Sequence, residues 1–254
     1  MYKDLTDQDY KEMLSLPPDY KVAGFLSYGH WNLSRKAENM KKALSKLDGD
    51  FQIKQLSEFL GRVYEIKTSK CTYWFTVVYG GVRLCEYLHF ACLFGSKKNI
   101  HIGSCGGLCP QMESLDYIIP EWSFGNESTT RSYDRDNQEN IHYPDQELSN
   151  EIKRELGNQN YWKGPIMTCE AMVAETKEDI DRWTQEGYYG VEMETSTIFA
   201  ISNHFEVPSA SLLYVSDNLV KGQVVGDEEH KKQKKDRWAK SQEMIDIGIR
   251  VLFS

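Results

Sequence analysis

Apolar and polar positions along this chain alternate between two periods. Short apolar runs at residues 20–26, 99–102, 117–119, 166–169, 189–193 and 211–215 are strand-sized. Between them, apolar residues fall at helical spacing over 34–47, closing near Gly49, over 84–94, closing at Gly95, and over 195–205. Residues from about 231 to 252 read as one long amphipathic helix. Residues 61–67 and 72–79 flank a Thr-Ser-Lys turn and predict a hairpin. Thr176 with Asp179 three residues on fits a capping box opening a helix to about Glu186. Strand and helix in alternation over this length predict a three-layer α/β/α sandwich on a mostly parallel or mixed sheet. Ligand loops then belong at the carboxyl ends of strands.

Composition narrows the class of function. The 254 residues read as a single domain, 1–254, and 40% hydrophobic with 27% charged residues excludes disorder, collagen and coiled coil. Thirty Lys and Arg against 38 Asp and Glu leave a net charge of −8. That argues against a broad nucleic-acid surface, though a local positive pocket for a phosphate-bearing ligand remains compatible with it. No apolar run is long enough for a bilayer, and the polar opening MYKDLTDQDY is no signal peptide, so a cytoplasmic location is expected. Six cysteines, at 71, 85, 92, 105, 109 and 169, form no CxxC pair and no zinc-ligand spacing with the histidines. They read as free thiols, and no metal is expected. The charge run 227–237 mixes signs and reads as a solvated loop entering a helix.

Three short motifs sit at predicted strand ends. Gly103-Ser104-Cys105-Gly106-Gly107 has the small residues that let backbone N–H groups converge on an anion, with the Ser104 hydroxyl as a further donor. It is equally a plain tight turn. In Val191-Glu192-Met193-Glu194, two carboxylates at i and i+2 share one side of a strand, and a carboxylate suits a sugar cis-diol. The same pair also fits an acidic first turn of a helix. Asp217 in Ser216-Asp217-Asn218 is placed for ligand work or for an Asx-turn that closes the strand.

The order GSCGGL, GVEMETSTIFA, LLYVSDN resembles the nucleoside phosphorylase-I family, which holds purine nucleoside phosphorylases, uridine phosphorylases and nucleosidases. The resemblance runs from about Val77 to Asn218. It implies an α/β sandwich around a mixed, partly barrel-like sheet, and a homo-oligomer from dimer to hexamer. It assigns Ser104 to phosphate, and Met193 and Glu194 to ribose, with Glu194 on the 2′- and 3′-hydroxyls. Glu192 falls at the edge of the base site, Met172 against the base, and Ser216 beside Asp217, the acid at purine N7.

Departures from the family pattern concern phosphate. The Gly-Asp-Pro-x-x-Arg turn is missing, and Gly29 and Arg35 stand as its respaced equivalent. His101 replaces the arginine that usually precedes the Gly-Ser loop. Arg83, at a helix start near the expected ribose site, is a further phosphate candidate, and Lys54 and Arg62 lie where a partner subunit's arginine is often drawn from. Asp217, together with the lack of a Gln and Arg pair in 170–176, favours purine over uridine. The resemblance thus implies a purine nucleoside phosphorylase whose partners are a nucleoside and inorganic phosphate as co-substrate, with no other cofactor. The alternatives are a nucleosidase using water, a uridine phosphorylase, and a non-catalytic nucleoside-binding or storage protein.

Overall fold

The computed structural model describes the backbone of residues 1–254 and every side chain except those of Lys3 and Glu229. Its strands are β1 (Gly24–Gly29), β2 (Gln52–Gln55), β3 (Val63–Lys67), β4 (Thr72–Val78), β5 (Asn99–Gly107), β6 (Tyr117–Asn126), β7 (Ile141–His142), β8 (Tyr161–Cys169), β9 (Gly190–Glu192) and β10 (Ser209–Asn218). The helices are α1 (Asp7–Met13), α2 (Leu33–Leu44), α3 (Gly81–Leu93), α4 (Thr129–Tyr133), α5 (Gln146–Leu156), α6 (Lys177–Gln185), α7 (Thr195–His204), α8 (Glu228–Lys232) and α9 (Lys234–Phe253).

All ten strands belong to one mixed sheet in the order β10-β6-β8-β9-β5-β1-β4-β3-β2, with β7 beside β6. Because β10 also pairs with β5, strands β10, β6, β8, β9 and β5 close on themselves as a small barrel. The remaining strands extend from it as an open sheet. Successive strand residues face opposite layers. Leu26 joins the apolar layer under α2, α5 and α9, with Met40, Leu44, Ile152, Met244 and Ile249. Its neighbour Phe25 joins the layer under α1, α3 and α7, with Leu84, Leu88, Ile198 and Ile201. The expected three-layer sandwich with a partly barrel-like sheet is the fold observed.

Several elements differ from the pattern-based expectation. Residues 103–107 continue β5 as strand instead of forming a turn, because Gly106 and Gly107 pair with Val191 and Gly190 on one side and with Asp217 and Asn218 on the other. Glycine weakens a strand interior, and here pairing on both sides outweighs that cost. A Cβ on Gly106 would lie 2.6 Å from Leu219 Cδ1, so the close approach of that side chain requires glycine. The tail is two helices rather than one, since the chain leaves helical geometry at Gln233 (ψ 11°). Among the described residues, no helix is long and apolar enough to cross a membrane.

Candidate active site

A cavity of about 400 Å³ opens where the barrel meets α2 and the α8–α9 segment. Strand ends supply its floor. Ser104, Cys105 and Gly106 come from β5, Val191 and Glu192 from β9, and Tyr214, Ser216 and Asp217 from β10. The three motifs therefore meet in space. Gly29, Arg35, Ser104, Met172, Glu192, Met193, Glu194, Ser216 and Asp217 all line this one cavity.

Local hydrogen bonds explain how each side chain is aimed. Glu192 serves the start of α7: it accepts from the N–H groups of Glu194 (2.9 Å) and Thr195 (2.8 Å) and from Thr168 Oγ1 (2.6 Å). That satisfies donors a helix start otherwise leaves unpaired. Glu194 is turned elsewhere and accepts from the N–H of Gly80. Gly80 sits at φ +94°, a conformation that favours glycine. Burial raises the pKa of both carboxyls, and the charge of Glu192 raises that of Glu194 further.

Asp217 follows an irregularity in β10 between Val215 and Asp217 that re-aims the strand end into the cavity. Its carboxyl accepts from the Ser216 hydroxyl. Burial pushes its pKa up, with Arg237 pulling the other way. The Asx-turn closing the strand is made by the next residue. Asn218 Oδ1 accepts from the N–H groups of Val220 (3.1 Å) and Lys221 (3.2 Å), which leaves Asp217 to the cavity.

The cavity's cationic end was only partly legible in the sequence. Asn32 caps α2 by accepting from the N–H of Arg35 (3.1 Å), and so places Arg35 and Lys36 in the first turn, facing inward. Arg35 lies over Trp238 at 3.7 Å. Lys36 is buried, bonded to Ser241 Oγ and set 4.2 Å from the centre of the Tyr28 ring. Burial, then the charge of Arg35, pushes its pKa down to about 7. Arg237 bonds His230 through Nη2, while its buried Nη1 has no hydrogen-bond partner among the described residues. Tyr214 is raised to about 12 by burial, opposed by Arg237 and by a hydrogen bond with Ser104, which ties Ser104 to this end. His230, Lys231, Lys234 and Arg237 all belong to the charge run read as a solvated loop, and here they form a wall of the cavity.

The remaining candidates lie elsewhere. Arg83 is exposed and rests against Tyr87 at 5.3 Å, and Arg62 donates to the carbonyl oxygens of Val77 (2.8 Å) and Trp31 (3.4 Å). Lys54 is exposed on β2. His101 is fully buried beneath the cavity floor, and burial pushes its pKa down to about 3, so it is a neutral imidazole. None of these four lines the cavity. Aromatic and apolar groups at the rim complete the site. His30 stacks on Trp31 (4.6 Å), Trp31 meets Tyr79 edge-on (5.9 Å), and the Tyr79 hydroxyl is 3.8 Å from Met172 Sδ.

Comparison with known proteins agrees with this architecture. A guanosine phosphorylase of Halorubrum lacusprofundi is 27% identical over 150 residues, covering 56% of this chain and 60% of the relative. A DeoD-type purine nucleoside phosphorylase of Clostridium beijerinckii is 29% identical over 138 residues, covering 54% and 58%. The chain thus spans 58–60% of the length of these relatives. Among solved structures, a uridine phosphorylase from Vibrio fischeri superposes with a TM-score of 0.74 at 18% identity, over 92% of this chain and 94% of that one. An AMP nucleosidase from Bacteroides thetaiotaomicron superposes at 0.68 and 19% identity, over 92% and 89%. The sequence model of the phosphorylase superfamily matches residues 83–248, well over half the chain and including β5, β9 and β10. A match of that extent, on the strands that build the cavity, makes this chain a member of the phosphorylase superfamily.

Proposed function

We propose that this cavity binds a purine nucleoside and inorganic phosphate and exchanges the N-glycosidic bond for a bond to phosphate. The observation that carries the reading is the gathering of Glu194, Asp217 and the Ser104–Lys36–Arg237 cluster in one cavity of about 400 Å³, a size ordinary for small-molecule sites. Glu194, fixed by Gly80 at Oε1, accepts from the hydroxyls of the ribose cis-diol. Phosphate sits against Ser104, Lys36 and Arg237, whose buried Nη1 has no hydrogen-bond partner among the described residues and supplies a donor. A phosphate oxygen attacks C1′ while the bond from C1′ to the purine nitrogen breaks, and that electron pair passes into the base. The Asp217 carboxyl gives its proton to N7, and its raised pKa supports a protonated acid in that role. Two buried cations at the phosphate end favour phosphorolysis over attack by water. Asp217 at a strand end favours purine over uridine and argues against a binder without turnover.

The test is initial rate on a nucleoside panel against phosphate concentration, with the sugar product identified. Ribose 1-phosphate formed in proportion to phosphate supports the reading. Free ribose, at a rate indifferent to phosphate, would make the site a nucleosidase. We also propose that the chain is a homo-oligomer. The exposed Tyr79, Val82 and Val173 beside the cavity mouth support this, and sedimentation equilibrium tests it.

A further inference from the structure

Beneath the cavity floor, three metal-ligating groups from two distant segments of the chain meet. His101 Nε2 lies 3.9 Å from Glu192 Oε2 and 3.9 Å from Glu194 Oε2. One ligand atom from each residue falls within 4.8 Å of the others. A single ion between atoms so placed is no more than about 2.5 Å from each, close to the roughly 2.0–2.2 Å of zinc–nitrogen and zinc–carboxylate bonds. Side-chain adjustments of a few tenths of an ångström close the difference.

The histidine is prepared as a ligand. Its Nδ1 is 2.9 Å from Ser27 Oγ, and that hydroxyl is 3.4 Å from the carbonyl of Ile100. With the hydroxyl proton on the carbonyl, Ser27 accepts from Nδ1–H, and Nε2 is left with its lone pair. A partner on the far nitrogen is how metal-binding imidazoles are generally oriented. Nε2 is fully buried and has no hydrogen-bond partner among the described residues. It points at two carboxylates that, among the described residues, pair with no lysine or arginine. Unpaired buried groups of this kind are costly. Glu192 Oε2, the oxygen facing His101, already accepts from the N–H groups of Glu194 and Thr195, whereas Oε1 accepts from Thr168 alone and holds the acceptor position still open. Gly29 and Gly103 keep the space clear, since a Cβ on Gly29 would lie 2.9 Å from Glu194 Oε2 and one on Gly103 3.2 Å from His101 Nε2.

We propose that His101, Glu192 and Glu194 form a binding site for one divalent transition-metal ion, of the zinc class by its one-imidazole, two-carboxylate donor set. Glu192 and Glu194 line the cavity, which gives the ion its route in. Linear spacing hides such a site because His101 is on β5 and the two glutamates follow 91 and 93 residues later. Cation binding here does not require that the cavity take a nucleoside.

The test uses the full chain, stripped with a chelator, desalted and titrated with Co²⁺ while its visible absorption is followed, then with Zn²⁺ in competition. The expected result is a ligand-field band saturating at one equivalent, displaced by Zn²⁺ and lost in His101→Ala. Ser27→Ala, which removes only the orienting hydroxyl, should weaken binding by about 10- to 100-fold. No band and no retained metal in the wild-type chain would overturn the proposal, as would equal stoichiometry and affinity in His101→Ala. Should His101→Ala fail to fold, anomalous scattering from a Zn²⁺-soaked wild-type crystal decides. A peak between the three side chains supports the site, and a peak only elsewhere, or none, overturns it.

Discussion

The backbone N–H of Gly80 donates to Oε1 of Glu194 across 114 residues of chain. This bond joins the turn before α3 to the start of α7 and holds the Glu194 carboxylate before any ligand arrives. Preorganisation of this kind is what a diol-binding group needs.

Glu194→Gln should therefore lose about 100-fold or more in kcat/KM on purine ribonucleosides, the scale expected when a positioning group is lost. The amide is isosteric, so the thermal midpoint should move little. Steady-state kinetics paired with calorimetry checks both statements. Turnover near that of the wild type would remove Glu194 from the sugar site.

Asp217→Asn tests the proposed role of Asp217 as leaving-group acid. Cleavage of natural purine nucleosides should fall by about 10²–10⁴, the usual weight of acid–base help. A nucleoside whose base departs without protonation should suffer much less. An equal loss on both substrates would assign Asp217 a structural role in the β10 irregularity.

Under the proposed reading, Lys36 gives phosphate binding a pH dependence. With its pKa near 7, its cation is present below that value and lost above it, so phosphate affinity should fall as pH rises through about 7. Lys36→Arg carries a charge that does not titrate there, and should retain only the trend due to phosphate itself. Phosphate titrations of both proteins on either side of that pH separate the two. Superimposable profiles would place Lys36 outside the phosphate site.

The same residue makes a stability prediction. Between about 7 and its ordinary value of 10.5, the unfolded lysine holds more protons than the folded one, so this group alone makes stability rise with pH. Below 7 both states are protonated and the cost of burying the charge is fully present. Lys36→Met should therefore stabilise the fold most at the acid end of the range, with the gain shrinking above 7. Urea midpoints across that range measure it, and a gain independent of pH would contradict the assignment.

Gly81 is a packing constraint between α3 and α7. An added Cβ would lie 2.3 Å from Thr197 Oγ1 and 3.3 Å from its Cβ. Thr197 is fully buried and β-branched, so Gly81→Ala should cost about 1–3 kcal/mol by overpacking. Chemical denaturation of the variant tests this, and unchanged stability would mean that α7 shifts freely.

What sequence alone revealed follows from the range of the interactions involved. Ser104, Glu194 and Asp217 were legible because each sits in a compact motif at a strand end, and strand ends converge in this class of fold. Lys36 was not, since a lysine within Ser34-Arg35-Lys36-Ala37-Glu38 looks like a solvated helix face until α9 is known to cover it. Arg237 was concealed in the same way, because a mixed charge run takes its meaning only from what it packs against. The extension of β5 through 103–107 depends on β9 and β10, whose paired residues lie 83 to 111 positions away. Local glycine propensity opposes it and tertiary pairing prevails. The interruption of the tail helix at Gln233 likewise has no marker such as proline or glycine in the sequence.

Closure of β10 onto both β5 and β6 has a consequence for how the molecule breathes. Within that ring every strand has a neighbour on each side, so its amides can exchange with solvent deuterium only when several strands separate together. At the opposite margin β2, the exposed terminal strand Gln52–Gln55, hydrogen-bonds to β3 alone and can fray by itself. Protection should accordingly be deepest at Ser104 and its β10 partner Tyr214 and shallowest along β2. The cavity's floor is thereby built from the last part of the protein to open, while its cationic wall sits on helices outside the ring.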